Sequence, residues 1–222
     1  MVINGTDMKT KARNSHAKAV RRRSPPNIVN GTVPPRRQFN VARRPREYLT
    51  AKEVELLRKG AHGRGRNRHR DATMILVAFR HGLRPIEVCS LRWDQIDLAQ
   101  GLLHVQRVKG GMPSVHPMGG GEIRELRRLK REQPQSRHVF LSERTAPMTT
   151  AGFRKMLART GDGVEFPFPV HPHMLRHACG YKLANDGQDT RALQHYLGHK
   201  NIQHTVRYTE LSPDRFKSFW ED

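Results

Sequence analysis

Residues 170–211 of the 222-residue chain read VHPHMLRHACGYKLANDGQDTRALQHYLGHKNIQHTVRYTEL, which sets His173, Arg176, His199 and Tyr208 among ordinary apolar helix positions. These side-chain types suit phosphoryl transfer. Arginine presents a planar fork that matches phosphate oxygens, and histidine can donate to a phosphate or accept a proton near neutral pH. Tyrosine is a nucleophile able to hold a phosphoryl group covalently. Attack on a phosphodiester adds negative charge to the non-bridging oxygens, so fixed cationic donors favour the transition state over the ground state. With enough such donors the reaction needs neither metal nor cofactor, and none is expected.

The neighbouring residues predict how these groups are held. Met174, Leu175, Ala178 and Leu183 form a helical core stripe, and His173 and Arg176, three residues apart, are neighbours on that helix. Gly187 reads as its terminator, Asp189 or Thr190 as the next cap, and Gly198 as a second terminator that leaves His199 just beyond a helix end. A short helix capped near Asn201 then carries Tyr208 on its last turn. Upstream, Thr50 and Glu53 make a capping box for a helix that buries Val54 and Leu57. Residues 60–70, GAHGRGRNRHR, read as a loop, either a solvated turn or a phosphate contact. Residues 73–79 are almost wholly apolar, as in a helix buried on most sides, and Gly82 stops that helix. Pro85 starts the next one with Glu87 in its first turn, leaving Arg84 at a helix N-terminus. A cation there is misplaced by roughly 0.3 to 1 kcal/mol unless an anion joins it.

Val88, Leu91 and Trp93 read as core, and Asp94 and Asp97 as turn or capping residues. Residues 102–118 predict a hairpin with Lys109 at its tip, where the ammonium is either solvated or able to reach a site and protonate a leaving oxygen. A basic amphipathic helix over 122–132 follows, with Ile123, Leu126 and Leu129 inward. Then come a short HVFL strand at 138–141, a helix around Phe153, Met156 and Leu157, and a Pro-rich linker, FPFPV, at 166–170. His62, His69, His104, His138 and His195 read as solvated. A zinc site on His171, His173 and His177 is the weaker reading, because neither Cys89 nor Cys179 falls at ligand spacing. The expected fold is mainly α with a small antiparallel β-sheet.

A net charge of +21 and a sequence pI near 11.2 point to a polyanionic partner, since such an excess repels itself unless neutralised. Nucleic acid is favoured over membrane: no run approaches the roughly 18 apolar residues of a spanning helix, and the basic segments lack an apolar face. The first 46 residues hold twelve Lys or Arg against Asp7 alone, with two Pro-Pro pairs and no apolar periodicity. They read as disordered alone, either a solvated leader or, the favoured reading, a basic arm that lies along DNA phosphates or a groove. No signal peptide is visible, and two cysteines expected to stay free suit a reducing, cytoplasmic and nucleoid-associated setting.

GLRPIEVCSLRW at 82–93, HPHMLRH at 171–177, LGH at 197–199 and, nine residues after that His, the Tyr of TVRYT resemble the tyrosine recombinase (phage integrase) family. HPHMLRHACGYKLAND together with VKGGMPSVHPM is most similar to its fimbrial phase-variation invertases. The resemblance implies a catalytic set of Arg84, Lys109, His173, Arg176, His199 and Tyr208, with Glu87 supporting the site. It implies cleavage and rejoining of double-stranded DNA at specific recombination sites through a 3′-phosphotyrosyl intermediate, for inversion or integration and excision. Residues 47–211 would form the catalytic domain and 1–46 the arm, too short to be the N-terminal clamp most members carry. The segment 212–222, with Phe216, Phe219 and Trp220, would form a helix that closes its own core or docks on a neighbour in a homotetramer. A catalytically idle DNA-binding regulator of the same fold is the alternative, and the complete set argues against it. A type IB topoisomerase fits less well, given the hairpin and LGH. Counterion release predicts that DNA affinity falls steeply between low and physiological salt; a salt titration of binding checks this, and indifference to salt would contradict the basic-surface reading.

Overall fold

The computed structural model describes residues 46–63, 65–108 and 110–210. The basic arm up to residue 45, Lys109 and the segment 212–222 therefore lie outside the described residues. Among the described residues the chain forms eight α-helices and one three-stranded antiparallel sheet, the expected mainly α fold with a small sheet. In chain order these are α1 (Ala51–Gly63), α2 (Arg68–Arg80), α3 (Pro85–Cys89), a 3-10 turn (Trp93–Gln95), β1 (Ile96–Asp97), β2 (Leu102–Val105) and β3 (Ser114–Pro117), then α4 (Gly120–Glu132), α5 (Thr150–Gly163), α6 (Pro172–Asn185), α7 (Thr190–Leu197) and α8 (Gln203–Thr209). No described helix is long and apolar enough to cross a membrane.

Local chemistry accounts for most boundaries. The Thr50 amide donates to Glu53 Oε2 at 2.7 Å and the Glu53 amide to Thr50 Oγ1 at 3.3 Å, the reciprocal box that starts α1. Asp189 caps α7 by accepting from the amides of Arg191 and Ala192. The centre of the domain is α2, whose Met74, Ile75, Val77 and Ala78 are buried and which packs against α1, α4 and α6. Burying a side chain of Met, Ile or Val size contributes roughly 1.5 to 3 kcal/mol. The sheet runs β1-β2-β3, with Leu103 paired to Ile96 on one side and His116 on the other.

Three expectations are corrected. The Gly and Arg loop is shorter than read, because α1 runs to Gly63 and α2 already begins at Arg68. His69 is not solvated: it is 6% exposed, with Nε2 2.8 Å from Glu125 Oε2 and Nδ1 3.2 Å from Glu132 Oε1, so two α4 carboxylates flank an imidazole that sequence distance hid. The HVFL segment makes no strand ladder. It holds only isolated bridges, Arg92 to His138 and Leu141 to Pro147, although Val139 donates to the Leu91 carbonyl at 2.9 Å. FPFPV, for its part, is packed: Phe166 and Phe168 stack at 5.5 Å against the core and Val170 is buried.

A buried polar chain joins α2, β3 and α4. His81 Nε2 lies 2.8 Å from Glu122 Oε1, His81 Nδ1 lies 3.1 Å from His116 Nδ1, and His116 Nε2 lies 2.8 Å from Ser114 Oγ. Burial, then His81, hold His116 down to about 3, so its imidazole is neutral. One proton order satisfies every link: Ser114 donates to His116, His116 to His81, and His81 to Glu122.

Two helices end on left-handed glycines that aim the chain at the site. Gly82 (φ 54°) and Gly198 (φ 66°) each follow a helix whose last turn closes through paired bonds: Leu83 to the Ala78 carbonyl with Gly82 to Phe79, and His199 to Gln194 with Gly198 to His195. A Cβ at Gly82 would also stand 2.5 Å from Leu197 Cδ2. Gly82→Ala should therefore lower stability by roughly 1 to 3 kcal/mol; the chemical denaturation midpoint reads this, and an unshifted midpoint would refute the packing argument.

Candidate active site

Arg84, at the N-terminal end of α3, has its cationic misfit relieved from within. Its amide donates to Glu87 Oε2 and its Nη1 to Glu87 Oε1, both at 2.8 Å. The same carboxylate accepts from Arg107 Nη1 at 2.8 Å and from the Val108 amide at 3.3 Å. Burial pushes the Glu87 carboxyl up, but the Arg84 amide, the charge of Arg107 and the side-chain bonds outweigh it and hold it below the ordinary value.

Arg107 was not singled out in the sequence, yet it is the hub. Its side chain is fully covered, and beyond Glu87 it donates to the carbonyls of His81 (3.3 Å) and Tyr196. Arg176 is also buried and clasps the same two chain reversals, donating from Nη1 to the Gly82 carbonyl and from Nη2 to the Leu197 carbonyl at 2.7 Å. Burial, then the charges of Arg107 and Arg84, bring Arg176 down to about 10. Two guanidiniums thus bind one carboxylate and a third feels its charge, leaving a local positive excess that an anion would relieve. The signal for Arg107 was period two: along 103, 105 and 107 the buried face continues two residues past the end of the strand.

His199 follows Gly198 and is 8% exposed, with Nδ1 2.8 Å from Thr205 Oγ1. Burial, then Arg176 and Arg84, lower it to about 3, so near neutral pH it is an uncharged imidazole. Tyr208 lies on α8, 1% exposed, its ring seated over Gly180, edge-on to Tyr181 at 5.0 Å and nearly parallel to His199 at 6.3 Å. A Cβ at position 180 would stand 2.8 Å from that ring. Its hydroxyl lies 2.9 Å from His177 Nδ1. Burial raises the phenol to about 12 against the opposing charges of Arg176 and Arg207.

The fold thus brings Arg84, Arg176, His199 and Tyr208 to one neighbourhood, where Arg176 acts electrostatically on both His199 and Tyr208. His173 is exposed, at the rim of a cavity of about 320 Å³ that Pro85, Thr150, Arg154 and His171 also line. It and Arg176 therefore point to different depths of the same helix. Sequence reasoning missed Arg107 and the contacts of His177 and Thr205, because only the fold brings their partners near. Among the described residues no group of three or more His, Cys, Asp or Glu is placed to hold a metal ion, so the zinc reading of His171, His173 and His177 finds no support.

The pattern that describes the phage integrase family matches residues 47–215. The chain is 38% identical over 181 residues to the type 1 fimbriae regulatory protein FimB of Escherichia coli (strain K12), covering 79% of this chain and 90% of that one. Its fold is similar to that of the XerA recombinase, with a TM-score of 0.69 at 23% identity over 79% of this chain and 65% of that one. It is also similar to a lambda integrase dimer bound to a COC′ core site, with a TM-score of 0.61 at 22% identity over 79% of this chain and half of that one.

Removing the one carboxylate gives a direct test of the charge arrangement. Glu87→Gln should lower stability at neutral pH by roughly 3 to 5 kcal/mol, as expected when a buried ion pair loses one partner. Because the folded-state pKa is depressed, the Glu87 contribution is complete above the ordinary value of 4.5 and is lost as pH falls through the folded value. The gap between wild type and variant, followed by denaturation against pH, should thus be widest near pH 7 and close only in acid.

Proposed function

Because the chain belongs to the phage integrase family, and is thereby a tyrosine-type site-specific recombinase, we propose that Tyr208 is the nucleophile of its DNA strand exchange. In this reading Tyr208 Oη forms a bond to the scissile phosphorus while the P–O5′ bond breaks, leaving a 3′-phosphotyrosyl link and a 5′-hydroxyl. The 5′-hydroxyl of a second duplex then attacks the link, and the phenol leaves. One phosphodiester is traded for another ester of similar energy, so no nucleotide is consumed.

The observation that carries the reading is the convergence of Arg84, Arg176, His199 and Tyr208, from four separate elements, on one buried, positively charged centre. Arg84 and Arg176 would hold the non-bridging oxygens. His199, uncharged and oriented by Thr205, would donate one further hydrogen bond. His173 would close the rim of the phosphate site, and Lys109 would protonate the departing 5′ oxygen. Glu87 and Arg107 fix the two arginines without reaching the phosphate themselves.

Around this centre, residues 47–211 act as the catalytic domain and the basic arm of 1–46 tracks DNA phosphates. The segment 212–222 docks on a neighbouring protomer, giving a homotetramer on two paired duplexes. Double-stranded DNA is the partner, inversion or integration and excision of a DNA segment the outcome, and the cytoplasm at the nucleoid the setting. The test uses a nicked duplex selected from random-sequence DNA by its affinity for the protein. Wild type should form a covalent protein–DNA adduct and Tyr208→Phe none, while Arg176→Ala should slow cleavage roughly a hundred- to a thousand-fold. An adduct with the Phe variant would end the proposal.

A further inference from the structure

A phenol attacks phosphorus only if it gives up its proton, so a group with a free lone pair must stand at its hydroxyl. Arg84 and Arg176 carry no lone pair to offer. His199 has its Nδ1 engaged by Thr205, and its ring centroid is 6.3 Å from that of Tyr208. His177 Nδ1, by contrast, lies 2.9 Å from the Tyr208 hydroxyl.

We propose that His177 is the catalytic base that takes the Tyr208 proton. The inference rests on Tyr208 being the nucleophile. His177, Gly180 and Tyr181 lie at i, i+3 and i+4 on α6, so they form one row on its surface, and the Tyr208 ring rests along that row. Gly180 lets the ring lie flat against the helix, and the hydroxyl then reaches back one turn to the imidazole. The base is also the residue next to Arg176, so one rigid turn would hold both the phosphate and the proton acceptor.

The charged and titratable groups around the pair come from several elements. Arg207 and Tyr208 face His177 from α8, and His171, His173 and Arg176 flank it along its own helix. Tyr208 additionally meets Tyr181, Cys179 and the His199 ring beyond α7. Burial, then Arg207 and the neighbouring histidines, hold His177 down to about 4. The imidazole is therefore neutral through the physiological range, with a lone pair available. In the resting pose the proton stays on Tyr208, whose phenolate is a stronger base than the imidazole.

As phosphate engages, the Oη–H bond breaks and its proton passes to Nδ1 while the Oη electron pair forms the bond to phosphorus. The P–O5′ pair leaves on the 5′ oxygen, which takes a proton from Lys109. In the return step His177 gives its proton to the departing phenol. The proton count closes at both ends without any external co-reactant.

The test is single-turnover cleavage of the nicked duplex by the full chain from pH 6 to 9. Wild type, with an internal base already deprotonated, should give a flat rate. His177→Asn keeps a hydrogen-bonding group at the place of Nδ1 but cannot take a proton. Its rate should fall roughly a hundred-fold or more at pH 7 and climb about tenfold per pH unit, as hydroxide takes over. Free imidazole should restore His177→Gly in proportion to its neutral form. A His177→Asn profile that stays flat and near wild type, or a rate above wild type, would overturn the proposal, the latter marking the contact as a resting latch. If the variants fail to fold, the wild-type profile decides: flat supports an internal base, and a tenfold rise per unit overturns it. Loss of the wild-type adduct altogether would instead defeat the nucleophile assignment.

Discussion

Burying Arg107 and Arg176 beside the half-buried Arg84, with the single carboxylate of Glu87 among their charges, is the constraint that the rest of the domain answers to. Removing a guanidinium from water costs several kcal/mol unless its N–H groups find acceptors and its charge finds a counterpart. The fold meets most of the first need with backbone carbonyls at two chain reversals, 81–82 and 196–197, which Arg107 and Arg176 clasp together, leaving Arg107 Nε without an acceptor. Those reversals exist because Gly82 and Gly198 accept left-handed backbone where a Cβ would strike Leu197 or Arg107 itself. The second need is met only in part, by Glu87. What remains is positive potential fixed before any substrate arrives, the preorganisation that makes electrostatic stabilisation effective.

The buried chain from Ser114 through His116 and His81 to Glu122 supports the same arrangement from behind. It ties β3 and α4 to the last turn of α2, whose following carbonyls are the ones Arg107 and Arg176 use. A satisfied polar network of this kind sets a single packing among its elements, because a slip of any one member would strand a buried donor. The stack of His116 on Tyr196 at 3.8 Å extends it to α7, which delivers His199.

Much of this architecture was legible before the fold was known, and the reason is locality. Caps at Thr50 and Asp189, the stops at Gly82, Gly187 and Gly198, and the start at Pro85 depend on residues within one turn of each other. Arg84 and His199 stand beside such signals, whereas their grouping with Arg176 and Tyr208 as one candidate set came from the family resemblance. The partners of Arg107, His69 and His177 lie far along the chain, and no short window contains them. The hairpin pattern hinted at Arg107, whose position continues the buried face, but nothing local indicated that Glu87 would meet it. HVFL failed as a strand for a related reason: apolar β-formers make a ladder only where a neighbouring strand offers a matching edge.

Tyr208 sits under cover, with its ring against Gly180 and almost no area in contact with solvent. On the reading that Tyr208 is the nucleophile, its cover must open toward an arriving phosphate while the ring keeps its seat, and the expense of that opening would fall on every encounter alike. Duplexes held loosely would be released intact before it, so fidelity would be set by residence time, upstream of any discrimination in the chemistry itself.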